Sequence, residues 1–224
     1  MYMVTGGAGF IGSNIVEALE RRGDGQLAVC DLIDGDTQTA GLAGGGGIKD
    51  PKLLNLSKRD VAHILGPEAL LGFLSGHASD MKAVFHMGAI SSTTETDVDL
   101  IFDTNVRLSL DLWRWCAENE VPLIYASSAA TYGDGAGGFV DDGSLDGLAT
   151  LKPLNAYGWS KLEFDRRVAH MVADGEPRPP QWAGLKFFNV YGPNEYHKGS
   201  MQSVVVQVYP KAAAGEPATL FKSH

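Results

Sequence analysis

The sequence predicts an α/β fold: a doubly wound parallel sheet with helices on both faces. Three observations predict it. The short apolar run Met3-Val4-Thr5 ends in the glycine-rich turn Gly6-Gly7-Ala8-Gly9-Phe10-Ile11-Gly12. Behind that turn the pattern is helical from Ser13 to Glu20, then apolar again from Gln26 to Cys30, ending at Asp31. Strand-like and helix-like segments continue to alternate along the chain, as parallel strands joined by crossover helices require.

Each element follows from local pattern. The expected strands are Met1 to Thr5, Leu27 to Asp31, Ala83 to Met87, Leu123 to Ala126 and Gly184 to Asn189, short apolar runs bounded by polar or turn residues. The expected helices are Gly12 to Arg21, Pro67 to Ser75, Leu100 to Asn119 and Ala156 to Val172. In the third, Trp113, Trp115 and Cys116 join an apolar stripe at helical spacing and are read as core. Asp34 to Asp50, with four consecutive glycines, reads as a loop, as does the acidic, glycine-rich stretch Gly133 to Gly147. Pro177, Pro179 and Pro180 mark an exposed connection. Ser200 to Ala213 reads as a helix and Ala218 to Lys222 as the start of a strand. Residues 1–192 are therefore expected to form a dinucleotide-binding domain. Residues 193–224 would begin a small substrate-binding portion that is incomplete here.

The first segment points to a redox cofactor. Strand, Gly-x-x-Gly-x-x-Gly turn, helix, strand and acid together make the dinucleotide fingerprint of a Rossmann sheet. Gly6, Gly9 and Gly12 permit a tight turn and close backbone approach to a pyrophosphate. The helix start offers unpaired N–H groups and a positive dipole end to phosphate. Asp31, nineteen residues beyond Gly12, is placed to bond a ribose hydroxyl.

A second constellation points to proton chemistry. Tyr157 and Lys161 are four apart, hence on one helical face. An ammonium beside a phenol is expected to lower the phenol's pKa. Ser127 and Ser128 follow an apolar strand, where open α/β sheets bind ligands and where a hydroxyl can bond a substrate oxygen. Lys198, in His197-Lys198-Gly199-Ser200-Met201, is the candidate second base, which an enzyme needs to work on both faces of a carbonyl. His86 is read as a satisfied structural histidine. Ser91-Ser92-Thr93-Thr94-Glu95 is either a helix cap with Glu95 as capping-box partner or a polar face toward substrate.

Bulk properties bound the partners. With 18 basic and 27 acidic side chains the formal net charge is −9, which argues against a broad nucleic-acid or anionic-membrane surface. Cys30 and Cys116 show no metal-ligand spacing and are expected to be buried thiols in a reducing compartment. The acidic residues match no metal-binding loop, so no metal is expected. No signal-peptide pattern or membrane-length apolar run is evident, so a cytoplasmic protein is expected.

Five stretches carry a resemblance: VTGGAGFIGSN from Val4, GAISSTTE from Gly88, YASSAATYG from Tyr125, PLNAYGWSK from Pro153 and FNVYGPNEYHKGSM from Phe188. Through them the chain resembles the extended short-chain dehydrogenase/reductases, and within these the epimerases that act on ADP-D-glycero-D-manno-heptose. The resemblance implies oxidation of the heptose C6 hydroxyl and return of hydride to the opposite face, making a precursor of the lipopolysaccharide inner core. It implies Tyr157 and Lys198 as bases serving opposite faces, with Lys161 tuning Tyr157 and holding the nicotinamide ribose, and Ser128 bonding the reacting oxygen. Phe10, Ile11, Asp31, Leu32, Lys52, Met87, Gly88, Ala89, Ile90, Ser91, Asn105 and Val190 would line the cofactor site. Ser91, Asn189, Ser200, Gln207 and Phe221 would meet substrate. NADP is implied, with NAD the alternative, because Leu32 replaces an asparagine of the pattern and Lys52 follows an insertion. Gln207 stands where the pattern has histidine. Homo-oligomers are implied, and the pattern continues beyond residue 224. The alternatives are another nucleotide-sugar epimerase or dehydratase, or a non-catalytic cofactor-binding fragment. Ser128-Ala129-Ala130 lacks the acidic pair that a dehydratase usually carries after this serine.

Overall fold

Alternation along each strand divides the core into two layers. A computed structural model describes residues 1–33, 50–92 and 95–218. These form one six-stranded parallel sheet from β1 (Tyr2–Thr5), β2 (Leu27–Cys30), β3 (His63–Leu65), β4 (Ala83–His86), β5 (Leu123–Ser128) and β6 (Trp182–Phe187), in the order β3-β2-β1-β4-β5-β6. Tyr2 and Val4 of β1, with Leu27 and Val29 of β2, pack on one side against Val16 and Leu19 of helix α1 (Phe10–Arg22) and against Leu56. Met3, Ala28, Val84 and Leu123 pack on the other. Their partners there come from helices α2 (Leu70–Gly76), α4 (Leu108–Glu118) and α6 (Ala156–Ala173). Trp113 is fully buried and meets Trp182 edge-on at 5.5 Å, and both cysteines are buried, so the aromatic stripe and the thiols belong to the core as expected. Burial pushes both thiols up to about 12, leaving them protonated and unreactive near neutral pH.

The strand order reverses between β1 and β4. Thr5 pairs with Cys30 on one side and with His86 on the other, so the carboxyl ends of β1, β2 and β4 open at one point. Open α/β sheets bind ligands there.

Several expectations need correction. β3 was not expected, since three residues are too short to show a period; its register with β2, His63 beside Ala28, makes it a strand. The helix expected from Leu100 to Asn119 is α3 (Val98–Phe102), a π-helical turn over Asp103–Arg107, and then α4. Its N-cap is Asp97, whose carboxylate accepts from Leu100 N at 2.9 Å; Glu95 turns back to Thr96 N and Asp97 N and caps no helix. Within the stretch read as an acidic loop, Ser144 accepts from Gly147 N and starts the short helix α5 (Leu145–Thr150). The helix expected from Ser200 begins later: Tyr196–Met201 forms a 3-10 turn, and α7 (Val204–Ala213) is capped by Ser203. The glycine-rich loop of 34–49, Thr93, Thr94, Phe221 and nearly all of the expected final strand lie outside the described residues.

Candidate active site

The glycine turn is built by close backbone approach. Gly6 has φ +65°, and a Cβ there would stand 2.7 Å from Gly88 N. A Cβ on Gly12 would stand 2.1 Å from the Gly6 carbonyl oxygen. α1 starts at Gly9 with no side-chain cap and no acid in its first turn, so its N–H groups and positive dipole end face the crevice. Asp31, at the end of β2, accepts from Ala8 N at 2.9 Å and from Lys52 Nζ at 3.1 Å. Asp50 caps the 3-10 turn that carries Lys52. A phosphate-binding turn, a carboxylate and a neighbouring ammonium therefore share one wall, a donor set that fits a dinucleotide.

α6 supplies the second wall. Asn155 caps it, accepting from Gly158 N at 2.8 Å, and from that cap the helix carries Tyr157 and Lys161 on one face. Gly158 permits close packing here, since a Cβ would stand 2.8 Å from Ala130 O. Ser128 ends β5; its hydroxyl accepts from Ala130 N and acts on the Tyr157 phenol to lower its pKa. Ser127 is committed elsewhere, donating to Asp165 at 2.6 Å. One expectation fails in this structure. Burial raises the Tyr157 phenol above its ordinary value, only partly opposed by Ser128. Lys161 does not reverse this, because it is itself buried and its pKa falls to about 8 despite the nearby Asp165. Desolvation is the largest cause at both groups.

The walls enclose a cavity of about 920 Å³. It is lined by Gly6, Gly9, Phe10, Ile11, Gly12, Asp31, Lys52, Met87, Gly88, Ala89, Ser91, Ser128, Tyr157, Lys161, Asn189, Val190 and Lys198, all named from sequence. Lys198 reaches it through a folded-back segment. Buried Glu195 accepts from Gly192 N, Ser203 N and Ser203 Oγ, and Asn194 Nδ2 donates to Ser13 Oγ at 3.0 Å. Burial would raise the Glu195 pKa, but these donors and Lys198 hold it low. The staple lays Lys198 Nζ 5.1 Å from the centre of the Phe10 ring, over the start of α1.

Other named residues lie outside the cavity. Leu32 points to solvent, and only its carbonyl takes part, accepting from Lys52 Nζ. Asn105 is buried behind the wall: Oδ1 accepts from Ile90 N and Nδ2 donates to Ile90 O and to Ser160 Oγ. The π turn places it there, so Asn105 and Ile90 hold the Met87–Ser91 loop in position and do not line the site. Ser200 and Gln207 are exposed; Gln207 donates to Gln202 O and Ser200 O. His86 bonds Thr5 Oγ1 at 2.7 Å and Ser109 Oγ at 2.9 Å, and burial holds it neutral with a pKa of about 3. His197, Phe188 and Tyr191 line the cavity without having been named. His197 sits beside Lys198 in a motif already quoted, a signal that could have found it. Asp165 and Lys186, also unnamed, pair behind the wall at 3.1 Å.

Known proteins share this fold. The chain is 42% identical over 226 residues to the ADP-L-glycero-D-manno-heptose-6-epimerase of Fusobacterium nucleatum, covering all of this chain and 63% of that one. It matches the structure of the Helicobacter pylori ADP-L-glycero-D-manno-heptose-6-epimerase with a TM-score of 0.73 and 28% identity, over 96% of this chain and 63% of that one. The UDP-glucuronic acid 4-epimerase of Bacillus cereus, solved with NAD, matches with a TM-score of 0.70 and 23% identity over 99% of this chain and 65% of that one, which shows a shared fold. The chain thus spans less than two thirds of the length of these relatives. The profile of the NAD dependent epimerase/dehydratase family matches residues 2–224, and the chain belongs to that family.

Proposed function

We propose that the protein inverts C6 of the heptose in ADP-D-glycero-D-manno-heptose, giving the L-glycero epimer. The observation that carries this reading is the presence, in one cavity, of the Tyr157-Lys161-Ser128 group and a separate cation, Lys198, on the segment stapled by Glu195. The relative from Fusobacterium nucleatum bears the same activity in its name.

The glycine turn, Asp31, Lys52 and Lys161 would hold the nicotinamide cofactor, which accepts hydride from C6 when bound and returns it to the opposite face. Tyr157, which burial holds as the phenol in the resting site, first gives its proton to solvent; as phenolate it takes the proton of the C6 hydroxyl, and Ser128 bonds that oxygen as it becomes a ketone oxygen. Lys161, as ammonium, stabilises the phenolate. Lys198 gives a proton to the oxygen when the centre is re-formed. Exchange with solvent then resets Tyr157 and Lys198, so no net redox change occurs. Asn189 and Ser91, which line the cavity, would meet the sugar.

The test is incubation of the purified protein with ADP-D-glycero-D-manno-heptose, following C6 configuration by NMR. Inversion without added cofactor supports the reading. A protein that holds cofactor and inverts no C6 centre contradicts it and turns attention to other nucleotide sugars.

NADP is the cofactor we assign, since Lys52 places an ammonium beside the ribose-binding Asp31. Lys52→Ala is expected to weaken NADP binding about tenfold, the scale of one charge-assisted contact, and NAD binding much less. Calorimetric titration with each cofactor decides; equal losses would remove the assignment. Self-association and a cytoplasmic location belong to the same proposal. Among the described residues no helix is long and apolar enough to cross a membrane.

A further inference from the structure

A buried polar cluster lies behind the Tyr157–Lys161 face. Tyr157, Lys161 and Asp165 follow one another at intervals of four, so one face of α6 carries all three. The first two line the cavity, whereas Asp165 lies one turn further on and is 7% exposed. Its Oδ2 accepts from Ser127 Oγ at 2.6 Å and from Lys186 Nζ at 3.1 Å. Lys186 also donates to Thr131 Oγ1 at 3.0 Å. Asp165 Oδ1 is buried and makes no close hydrogen bond among the described residues, although the Tyr125 phenol faces this carboxylate. An unsatisfied buried acceptor costs on the order of 1–3 kcal/mol, more when charged. Pairing with the largely buried Lys186 is one reason to hold an acid here.

The groups around Lys161 and Asp165 supply a second. From β4 comes His86, neutral at a pKa of about 3. From β5 comes Tyr125, whose phenol burial keeps protonated. Tyr157 on the same helix is held protonated in the same way. From β6 comes Lys186, a cation engaged with Asp165. Among the described groups Asp165 is the anion that acts on Lys161.

We propose that Asp165 is a positioning residue: its carboxylate, clamped by Ser127 and Lys186, is the fixed negative charge that keeps Lys161 an ammonium behind the Tyr157 phenol. This rests on the roles given to Tyr157 and Lys161 above. The consequence has a definite sign. Asp165 raises the pKa of Lys161 against desolvation, so removing its charge makes Lys161 lose its proton at lower pH. Epimerisation then fails from the alkaline side, while below the new midpoint Lys161 stays charged and the reaction is little changed.

The experiment is a titration of lysine 13Cε resonances, with Lys161 assigned by the signal lost in K161M. It needs no substrate, so it stands or falls apart from the epimerase reading. In the native protein the Lys161 midpoint is expected at about 8. In D165N it moves down by about one unit or more, and turnover falls roughly tenfold at alkaline pH and under threefold at pH 6.5. S127A keeps the carboxylate and leaves the midpoint in place. D165S removes the charge with a smaller side chain and moves the midpoint down as D165N does, which decides the matter if D165N does not fold. An unmoved midpoint in D165N, or in D165S where D165N does not fold, or a downward shift in S127A equal to that of D165N overturns the proposal. A uniform loss of turnover at every pH in folded D165N, without a shift, assigns Asp165 a structural role only.

Discussion

Replacing Tyr157 with phenylalanine is expected to lower the rate of C6 inversion by about 10²- to 10⁴-fold, the usual scale for losing a positioned proton-transfer group. The substitution removes one oxygen and leaves the ring, which lies half-buried on α6 against the Ser128 end of β5. Asn155 still caps the helix and Gly158 still packs on Ala130, so the wall keeps its shape. What disappears is the acceptor for the hydroxyl proton. Cofactor affinity should stay within about threefold of native, because the glycine turn, Asp31 and Lys52 are untouched. Single-turnover NMR with saturating substrate separates the two quantities. A rate within tenfold of native would move the base elsewhere in the cavity, with Lys198 the first place to look.

Gly12→Ala is expected to abolish cofactor retention. Helix propensity alone favours alanine over glycine by about 1 kcal/mol. The overlap decides the sign. The new Cβ would stand 2.1 Å from Gly6 O, 2.7 Å from Gly6 C and 2.8 Å from Gly7 Cα, all backbone atoms of the turn that receives the phosphates. The turn must open, and its N–H groups leave their common aim. Cofactor binding should weaken by about 100-fold or more, and stability should drop by about 1–3 kcal/mol, the range for overpacking. Titration with cofactor and a thermal melt of the cofactor-free protein read the two effects. Gly72 of α2 is the control: nothing lies within 4 Å of a Cβ there, so Gly72→Ala should leave binding unchanged. If Gly12→Ala binds like Gly72→Ala, the turn is not the phosphate site.

Much of this was legible in residue order because the signals are local. The turn needs glycines at fixed spacing between a strand and a helix, and the Tyr157–Lys161 face needs only a helical period. The corrections arise where local pattern is silent. β3 has no period to show over three residues and exists through its register with β2. α5 was read as loop because Gly147 and the aspartates resemble turn residues, while its start depends on one Ser144 bond. The π turn at Asp103–Arg107 leaves the apolar spacing of the helix nearly unchanged, yet it carries Asn105 to Ile90 and Ser160.

Residue order alone therefore settled the class of fold, the place of the dinucleotide turn and the helical face that bears Tyr157 and Lys161, since each depends on neighbours within one or two turns of chain. Assembly in space decided the rest. It laid Lys198 against Phe10 through a bond from Asn194 to Ser13, 181 residues away in sequence. It joined Asp165 to Ser127 across 38 residues and to Lys186 across 21. It also buried both Tyr157 and Lys161. Spacing puts two groups on one helical face, but burial sets the dielectric around them, and here desolvation raises the phenol and lowers the ammonium.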